Sequence, residues 1–285
     1  MSFLDHIRVC NAYDPDHYRP LYVGESVIGQ VKKDLARKLK EYPGVFWMAD
    51  HGLSLVPGLA TPSDRTAAVA EVMDRLASAG LAPDPLGEMF PVVSAFAAPE
   101  LMRLDRAMVP LLGVRAFGVH LNGVVHTDEG LKMWVGRRSP TKRVAPGKLD
   151  NLVAGGQPAG LSLRDNLIKE CAEEADMPAD LAARARPVGA VTYCMEGQHG
   201  LKPDCMFCFD LELSPDFVPR NTDGEIDTFL LWPMERVLET VRNTTEFKFN
   251  VNLVILDFAI RHGLLSPDDE PDYLEILLAL RRFGP

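Results

Sequence analysis

The spacing of apolar residues predicts alternating helices and strands along most of the chain. Residues 61–80, TPSDRTAAVAEVMDRLASAG, carry apolar side chains at helical spacing. Thr61 and Asp64 fit a capping box at the start of this helix, and Gly80 fits its end. A second helix is predicted over residues 99–113, PELMRLDRAMVPLLG.

From about residue 113 the pattern changes to the alternation typical of strands. The runs AFGVHLNGVV and LKMWVGRRS flank the turn-like HTDEG and predict a hairpin. Three further strands and three helices are predicted in the order PVGAVTYCM, CMFCFDLEL, EIDTFLLW, PMERVLETVRN, NVNLVILDFAIRHG and DDEPDYLEILLALRRF. Strands flanked by helices in this way predict a layered α/β domain.

The length of 285 residues suits two domains. We predict a small N-terminal α/β unit over residues 1–112, a layered α/β domain over 113–265 and a C-terminal helix over 266–285.

Hydrophobic residues make up 47% and charged residues 25%, as in ordinary globular proteins. No apolar run approaches the roughly 18 residues of a membrane span, so we expect no membrane association. The N-terminal MSFLDHIRVC lacks the apolar core of a signal peptide, which favours a cytoplasmic location.

The five cysteines are scattered, which argues against a disulfide scaffold and favours a reducing compartment. Cys205 and Cys208 have metal-like spacing, but alternation along a strand places them on opposite faces. Core packing is the favoured interpretation, and metal or redox chemistry is the alternative. The net charge of −10 argues against nucleic-acid binding, so an anionic substrate would need basic residues concentrated locally.

Residues 167–178, LIKECAEEADMP, are predicted to form a helix whose acids lie in its last turns. Glu170, Glu173 and Glu174 project within an arc of roughly 100° and repel one another. The negative end of the helix dipole disfavours carboxylates at that place. A solvated face tolerates the repulsion, whereas a divalent cation would convert it into ligation, because Mg²⁺ takes oxygen ligands. Composition alone leaves both interpretations open and favours the solvated face.

The surrounding residues resemble the Nudix box, G-x5-E-x7-R-E-U-x-E-E-x-G-U, where U is aliphatic. The positions that agree, counted from the first glycine, are Gly155, Glu170, Glu173, Glu174 and Met177. The positions that depart are Leu161, Lys169, Cys171 and Asp176. In the family, the first Glu and the Arg commonly pair and brace the loop on the helix. Leu161 and Lys169 form no such ion pair, so the resemblance implies a loop that is braced differently.

The resemblance covers most of the chain, from about residue 20 to 265, including PGKLDNLVAGG and EFKFNVNLVILDFAIRHGLL. These phrases are similar to a Nudix branch related to the Nudix region of fungal thiamine pyrophosphokinases, with its own N-terminal extension. The resemblance implies a Nudix-type α/β/α sandwich (α+β) with a mixed sheet, preceded by a small α/β domain. It also implies hydrolysis of a diphosphate that is linked to another moiety.

By the same resemblance, the acidic helix is expected to bind Mg²⁺, with Mn²⁺ as a substitute. Glu170 and Glu174 are expected to be direct ligands, and Glu173 a third ligand or a ligand through water. Glu170 and Glu173 are the candidate catalytic residues, with the general base among them or elsewhere. Glu225 is the candidate distal carboxylate and Asp223 its substitute; a turn acid satisfied by solvent is the alternative.

The stretch GRRSPTKRVAPGK is basic throughout and contains no acid. It predicts phosphate capture through charge-assisted hydrogen bonds, and a solvated loop is the alternative. Arg137 and Lys142 are the preferred pair. The full set of candidate phosphate- or substrate-binding residues is Arg137, Arg138, Lys142, Gly155, Gly156 and Lys169. The two glycines are included because the backbone can approach the phosphates where no side chain intervenes.

The branch resemblance implies thiamine diphosphate or its oxidised analogues as substrate, cleaved to the monophosphate and phosphate. The pocket should then offer an aromatic face and an acid to a cationic ring system. Trp134 and Tyr193 are candidates for the aromatic face, with core packing as the alternative. Two other functions stay open: an ADP-ribose- or NADH-type pyrophosphatase, and a nucleotide- or cofactor-binding module without turnover. The N-terminal unit is expected to shape the pocket or to mediate a homodimer.

Overall fold

The computed structural model describes residues 2–282. The N-terminal part alternates helices and short strands, in the order α1 (Phe3–Cys10), β1 (Tyr18–Val23), β2 (Ser26–Lys32), α2 (Lys33–Leu39), β3 (Phe46–Ala49), β4 (Gly52–Leu55), α3 (Pro62–Ser78), β5 (Met89–Val92) and β6 (Met102–Asp105). Strands β1 to β4 form a sheet in the order β2-β1-β4-β3, in which β1 and β4 run parallel. Strands β5 and β6 form a separate antiparallel hairpin.

Helix α3 confirms the first predicted helix and its capping box. The Thr61 hydroxyl accepts a hydrogen bond from the Asp64 amide at 3.1 Å, and the Asp64 carboxylate accepts one from the Thr61 amide at 3.0 Å. The buried residues of the helix are those of the predicted apolar face, Val69, Val72, Met73 and Leu76. They pack into the core that the N-terminal sheet shares with the β5–β6 hairpin.

The helix predicted over residues 99–113 is wrong, because this segment contains β6 followed by turns. Side chains along β6 alternate between buried and exposed, which is the period of a strand. Pro110 lacks the amide hydrogen that the interior of a helix needs. The Asp105 carboxylate accepts hydrogen bonds from the amides of Leu86 and Gly87, so it fastens the hairpin to the chain that precedes it.

The rest of the described chain contains the second set of elements. Their order is β7 (Phe117–Thr127), β8 (Gly130–Arg138), β9 (Leu149–Asp150), β10 (Val153–Gly156), α4 (Leu163–Ala175), α5 (Ala179–Ala182), β11 (Arg186–Gly197), β12 (Gly200–Glu212), β13 (Ile226–Pro233), α6 (Met234–Asn243), α7 (Val251–Arg261) and α8 (Tyr273–Ala279). The predicted β7–β8 hairpin is confirmed, with Thr127 opposite Gly130 at its turn. Helix α8 is shorter than predicted, and residues 283–285 of that prediction lie outside the described residues.

Seven strands form one mixed sheet with helices on both faces. The main path is β11-β12-β7-β8-β13, β10 pairs with β7, and β9 pairs with β8. Strands β7 and β12 run parallel, whereas the other pairs are antiparallel. Helices α4 and α5 pack on one face, and α6, α7, α8 and the N-terminal α1 pack on the other. The predicted α/β/α sandwich with a mixed sheet is therefore confirmed.

The cysteine pattern agrees with the prediction of core packing. All five cysteines are free and buried. Cys208 packs in the core beneath α7, and burial raises the pKa of its thiol. Cys205 lies on the other side of β12, at the wall of a cleft. Between residues 2 and 282, no helix is long and apolar enough to cross a membrane.

Candidate active site

A cleft of about 860 Å³ lies between the N-terminal unit and residues of strands β7, β10, β11 and β12 of the large sheet. Phe90 and Arg106 line it from the β5–β6 hairpin and the turn that follows. Gly155, Gly156 and Glu170 line it from β10 and α4. The N-terminal unit thus shapes the pocket, which is one of the two roles expected of it.

The first feature of the site is the burial of Glu174. Its side chain comes from the inner face of α4, which packs on the sheet, and the residue is only 4% exposed. The carboxylate accepts a hydrogen bond from the Ala154 amide of β10 at 2.9 Å. Burial raises the pKa of Glu174 well above its ordinary value; the Ala154 amide opposes the shift, and the Asp150, Glu170 and Glu225 carboxylates add to it.

Glu170 lies one turn earlier on α4, with a side chain that is 13% exposed. A Cβ atom on Gly155 would lie 2.2 Å from the Glu170 Cδ, so only glycine leaves room for the carboxylate. Burial raises the pKa of Glu170, the Lys169 ammonium opposes this, and the Glu173 and Glu225 carboxylates add to it. Helix α4 and strand β10 therefore hold two acids that are both poorly solvated.

Lys169 neutralises part of this charge. Its ammonium lies 3.2 Å from Glu170 Oε1 and 2.6 Å from Glu173 Oε2. Glu173 remains 48% exposed and lines the cleft. The helix ends at Asp176 in the left-handed conformation, with φ of 51°, where the family pattern has glycine.

The loop between β10 and α4 is braced through backbone carbonyls, in place of the ion pair that the departures at Leu161 and Lys169 remove. Gln157 Nε2 donates to the Leu161 carbonyl at 2.7 Å, and Asn166 Nδ2 donates to the Gly156 carbonyl at 2.8 Å. The Leu161 side chain is itself exposed. The expectation of a differently braced loop is thereby confirmed.

Glu225 lies across the cleft from α4, just before β13. Its carboxylate forms an ion pair with Lys142, and both residues line the cleft. Burial alone would raise the pKa of Glu225, but the hydrogen bond and the charge of Lys142 lower it. Asp223 accepts a hydrogen bond from the Glu225 amide at 2.8 Å. Because Glu225 raises the pKa of both Glu170 and Glu174, its charge acts on the same site.

The basic stretch divides between the cleft and its surroundings. Arg138 lines the cleft, but its guanidinium is buried and already donates to Asp150 at 2.6 Å and to the Val144 carbonyl at 2.9 Å. Arg137 lies outside the cleft lining and donates to the Gly147 carbonyl at 3.0 Å. Trp134 also lies outside the lining, in the core beneath α4. Of the preferred pair, only Lys142 reaches the cleft.

Lys248 and His120 also line the cleft, although the sequence patterns assigned a role to neither residue. The Lys248 side chain is 14% exposed, and its ammonium lies 3.5 Å from the Asp150 carboxylate that Arg138 already holds. Burial lowers the pKa of His120 to about 4, so its ring is neutral at physiological pH; Nδ1 lies 2.8 Å from Asn151 Oδ1. A lysine between two phenylalanines in FKFN is the signal that marks Lys248 in the sequence.

The donor set fits a divalent cation by its chemistry. Glu170 and Glu174 are hard oxygen donors whose charges burial disfavours, and a cation would relieve that cost. Across residues 2–282, no three His, Cys, Asp or Glu side chains converge into a preformed metal centre. A cation would therefore have to displace the Lys169 ammonium from Glu170 to reach both carboxylates.

Comparison with known proteins identifies relatives along nearly the whole chain. Residues 2–116 match a family described as "Domain of unknown function (DUF4743)". The chain is 39% identical to "Nudix hydrolase 20, chloroplastic" from Arabidopsis thaliana, over 98% of this chain and 78% of that protein. It is 40% identical to "Nudix hydrolase 24, chloroplastic" from the same plant, with the same two coverages. Both relatives are named chloroplastic, and the cytoplasmic location stays a prediction.

Among solved structures, DR0079 from Deinococcus radiodurans is similar with a TM-score of 0.47 and 20% identity. The match covers 59% of this chain and 97% of that chain.

We expect Gly155→Ala to reduce diphosphate turnover at least about tenfold, because the new Cβ displaces the Glu170 carboxylate. Steady-state kinetics and thermal unfolding would be measured together. Gly44→Ala is the control, since a Cβ there meets nothing within 4 Å. Unchanged kinetics of a folded Gly155→Ala variant would contradict the placement of Glu170 in the site.

Proposed function

This chain belongs to the Nudix hydrolase family, and we propose that it is a Mg²⁺-dependent diphosphatase of a small organic diphosphate that carries a heteroaromatic ring. The observation that supports this most strongly is the pair of desolvated carboxylates, Glu170 and Glu174, beside the open backbone of Gly155. Burying two acids side by side is costly unless a cation joins them.

In the proposed site, Glu170 and Glu174 would hold the cation, with Glu173 and Glu225 nearby. A cation held there would neutralise charge on the diphosphate oxygens and would make the attacking water more acidic. Glu173, 48% exposed at the cleft wall, is the proposed base that takes the proton of the attacking water. Water oxygen bonds to one phosphorus while the bridging P–O bond breaks, so the products are the monophosphate and inorganic phosphate.

The proposed diphosphate contacts differ from those preferred on sequence grounds. Lys142 and Lys248 present ammonium groups to the cleft, whereas Arg138 is occupied by Asp150 and backbone carbonyls. Arg138 and Lys248 share the single Asp150 carboxylate, and burial lowers the pKa of the Lys248 ammonium. The Lys248 ammonium lies 3.5 Å from the Asp150 carboxylate. An anionic oxygen of the substrate near Lys248 would therefore accept hydrogen bonds that Asp150 is too distant to accept well.

The cleft also supports the proposal of a substrate with aromatic rings, such as thiamine diphosphate, which has a cationic ring, or its oxidised analogues. Phe249, which is partly exposed, lines it together with the buried rings of Phe90 and Tyr193. Asp204 adds a carboxylate to the same wall. These are the two features that a ligand with aromatic rings and a positive centre requires.

Glu174→Gln tests the metal site. We expect a loss of at least about 100-fold in kcat, or some 2.7 kcal/mol of barrier lowering. The melting temperature should stay the same or rise, because glutamine can still accept the Ala154 hydrogen bond without a buried charge. The exposed Glu239→Gln is the matched control. Near-normal turnover by Glu174→Gln would place the site elsewhere.

Lys248→Met tests the proposed phosphate contact. We expect KM to rise by about tenfold or more with little change in kcat, since the contact is made equally in substrate and transition state. Lys132→Met, which removes an ion-paired lysine outside the cleft, should leave both constants unchanged. A folded Lys248→Met variant with unaltered KM would remove Lys248 from the diphosphate site.

A substrate panel with Mg²⁺ tests the leaving moiety. We expect a higher kcat/KM for oxothiamine diphosphate than for ADP-ribose, NADH or nucleoside triphosphates. Products would be separated by ion-exchange chromatography, so that phosphate release is distinguished from nucleotide cleavage. If ADP-ribose or NADH exceeds the thiamine compounds tenfold or more, the thiamine proposal fails and the nucleotide-pyrophosphatase alternative takes its place.

A further inference from the structure

One wall of the cleft lies beside the start of α7, where Phe249 and Asn250 precede the helix. Tyr193 and Asp204 face this segment from β11 and β12. The rings of Tyr193 and Phe249 meet edge to face, with centroids 5.8 Å apart. This wall thus combines aromatic surface with the polar groups of Asp204 and Asn250.

Asn250 carries a polar atom that is buried without a partner. The residue is 5% exposed, and among residues 2–282 its Oδ1 accepts no hydrogen bond. Its Nδ2 donates to the Met206 sulfur at 3.1 Å, which orients the carbonyl end of the amide. A buried acceptor left unpaired destabilises a fold, so its presence at a cleft wall points to a ligand donor.

Asp204 is already engaged, in contrast to Asn250. The Tyr193 hydroxyl donates to its carboxylate at 2.5 Å, and the Lys202 ammonium lies 3.4 Å away. Asp204 therefore acts on a ligand mainly through its charge. The free acceptor of this wall is the Asn250 carbonyl.

We propose that Asn250 Oδ1 determines specificity by accepting a hydrogen bond from an N–H group of a heteroaromatic ring, in particular from an exocyclic amino group. The ring would lie against Phe249, next to the buried Tyr193, while its diphosphate reaches Lys248 and the cation that the acids of α4 would hold. This inference rests on the proposed diphosphatase function and adds the N–H donor of the ring as the chemical feature that the cleft recognises. Lys248 and Asn250 then bind the two parts of one substrate from a single short segment.

The short distance along the chain between these two residues supports this division of roles. The charge of Glu174 raises the pKa of Lys248, and the charge of Lys202 lowers it. Lys248 therefore lies within electrostatic range of the acidic helix and of Lys202, which forms an ion pair with Asp204. Asn250 lies on the Tyr193 side, where its amide opposes the rise in the pKa of the tyrosine hydroxyl.

The test compares an amino-bearing ring with its analogue in which hydrogen replaces the amino group. The first pair of probes is oxothiamine diphosphate and its des-amino analogue, and kcat/KM is measured for each with Mg²⁺. The wild type should prefer the amino form at least about tenfold, because the analogue leaves the Asn250 acceptor unpaired. In Asn250→Leu this preference should fall to less than about twofold.

Asn252→Leu is the matched control, since Asn252 also has a buried, unpartnered Oδ1 but lies outside the cleft lining. It should keep the wild-type preference. An Asn250→Leu variant that keeps the preference, or a wild type that shows none, overturns the proposal. The wild-type comparison needs no variant to fold.

A second pair separates this proposal from that of the thiamine substrate. ADP-ribose and its des-amino purine analogue carry the same chemical difference on another ring. If thiamine compounds are poor substrates but ADP-ribose shows an amino preference that Asn250→Leu abolishes, the thiamine proposal fails and the role of Asn250 stands. Binding of the monophosphate products by calorimetry, without Mg²⁺, gives the same ratio independently of turnover, and equal affinities there count against Asn250.

Discussion

The burial of Glu174 against strand β10 is the constraint on which the site depends. Its carboxylate accepts the Ala154 amide and is almost fully removed from water, and Glu170 lies close by in similar surroundings. The approach of α4 that buries these acids leaves no space for a side chain on Gly155. The side-chain amides of Gln157 and Asn166 help to keep α4 in this position, because they donate hydrogen bonds to backbone carbonyls next to the connecting loop. A loop without the family's usual ion pair thus keeps the two acids on the inner side of α4.

The fold could be predicted where a local rule and the tertiary environment agree. Thr61 and Asp64 form the expected capping box, and the β7–β8 hairpin turns at the expected residues. The prediction for residues 99–113 was wrong because apolar residues at mixed spacing suggested a helix. In the structure, part of this segment pairs with β5 and forms strand β6. Short apolar runs do not distinguish these outcomes without knowledge of the partner strand.

The residues of the candidate site could likewise be predicted only in part from the sequence. Helix periodicity brings Glu170, Glu173 and Glu174 together, so the acidic part of the site could be predicted from one segment of the sequence. Lys248 and Asn250 reach the cleft only because the segment before α7 returns to the sheet beside β12, and no spacing rule records that contact. Arg137 and Arg138 show the converse: adjacent strand residues point to opposite faces, and only one of them can line the cleft. Charge density in a sequence therefore predicts a basic surface better than it predicts which ammonium or guanidinium meets a substrate.

If the buried carboxylates of α4 form a divalent-cation site, the substrate-free protein should bind a divalent metal ion. Mn²⁺ binding would be followed by electron paramagnetic resonance, and the melting temperature by calorimetry with increasing Mg²⁺. We predict one saturable Mn²⁺ site that Mg²⁺ competes for, and a melting temperature that rises with Mg²⁺, because a ligand that binds only the folded state stabilises it. Absence of saturable Mn²⁺ binding, together with a melting temperature indifferent to Mg²⁺, would contradict the account.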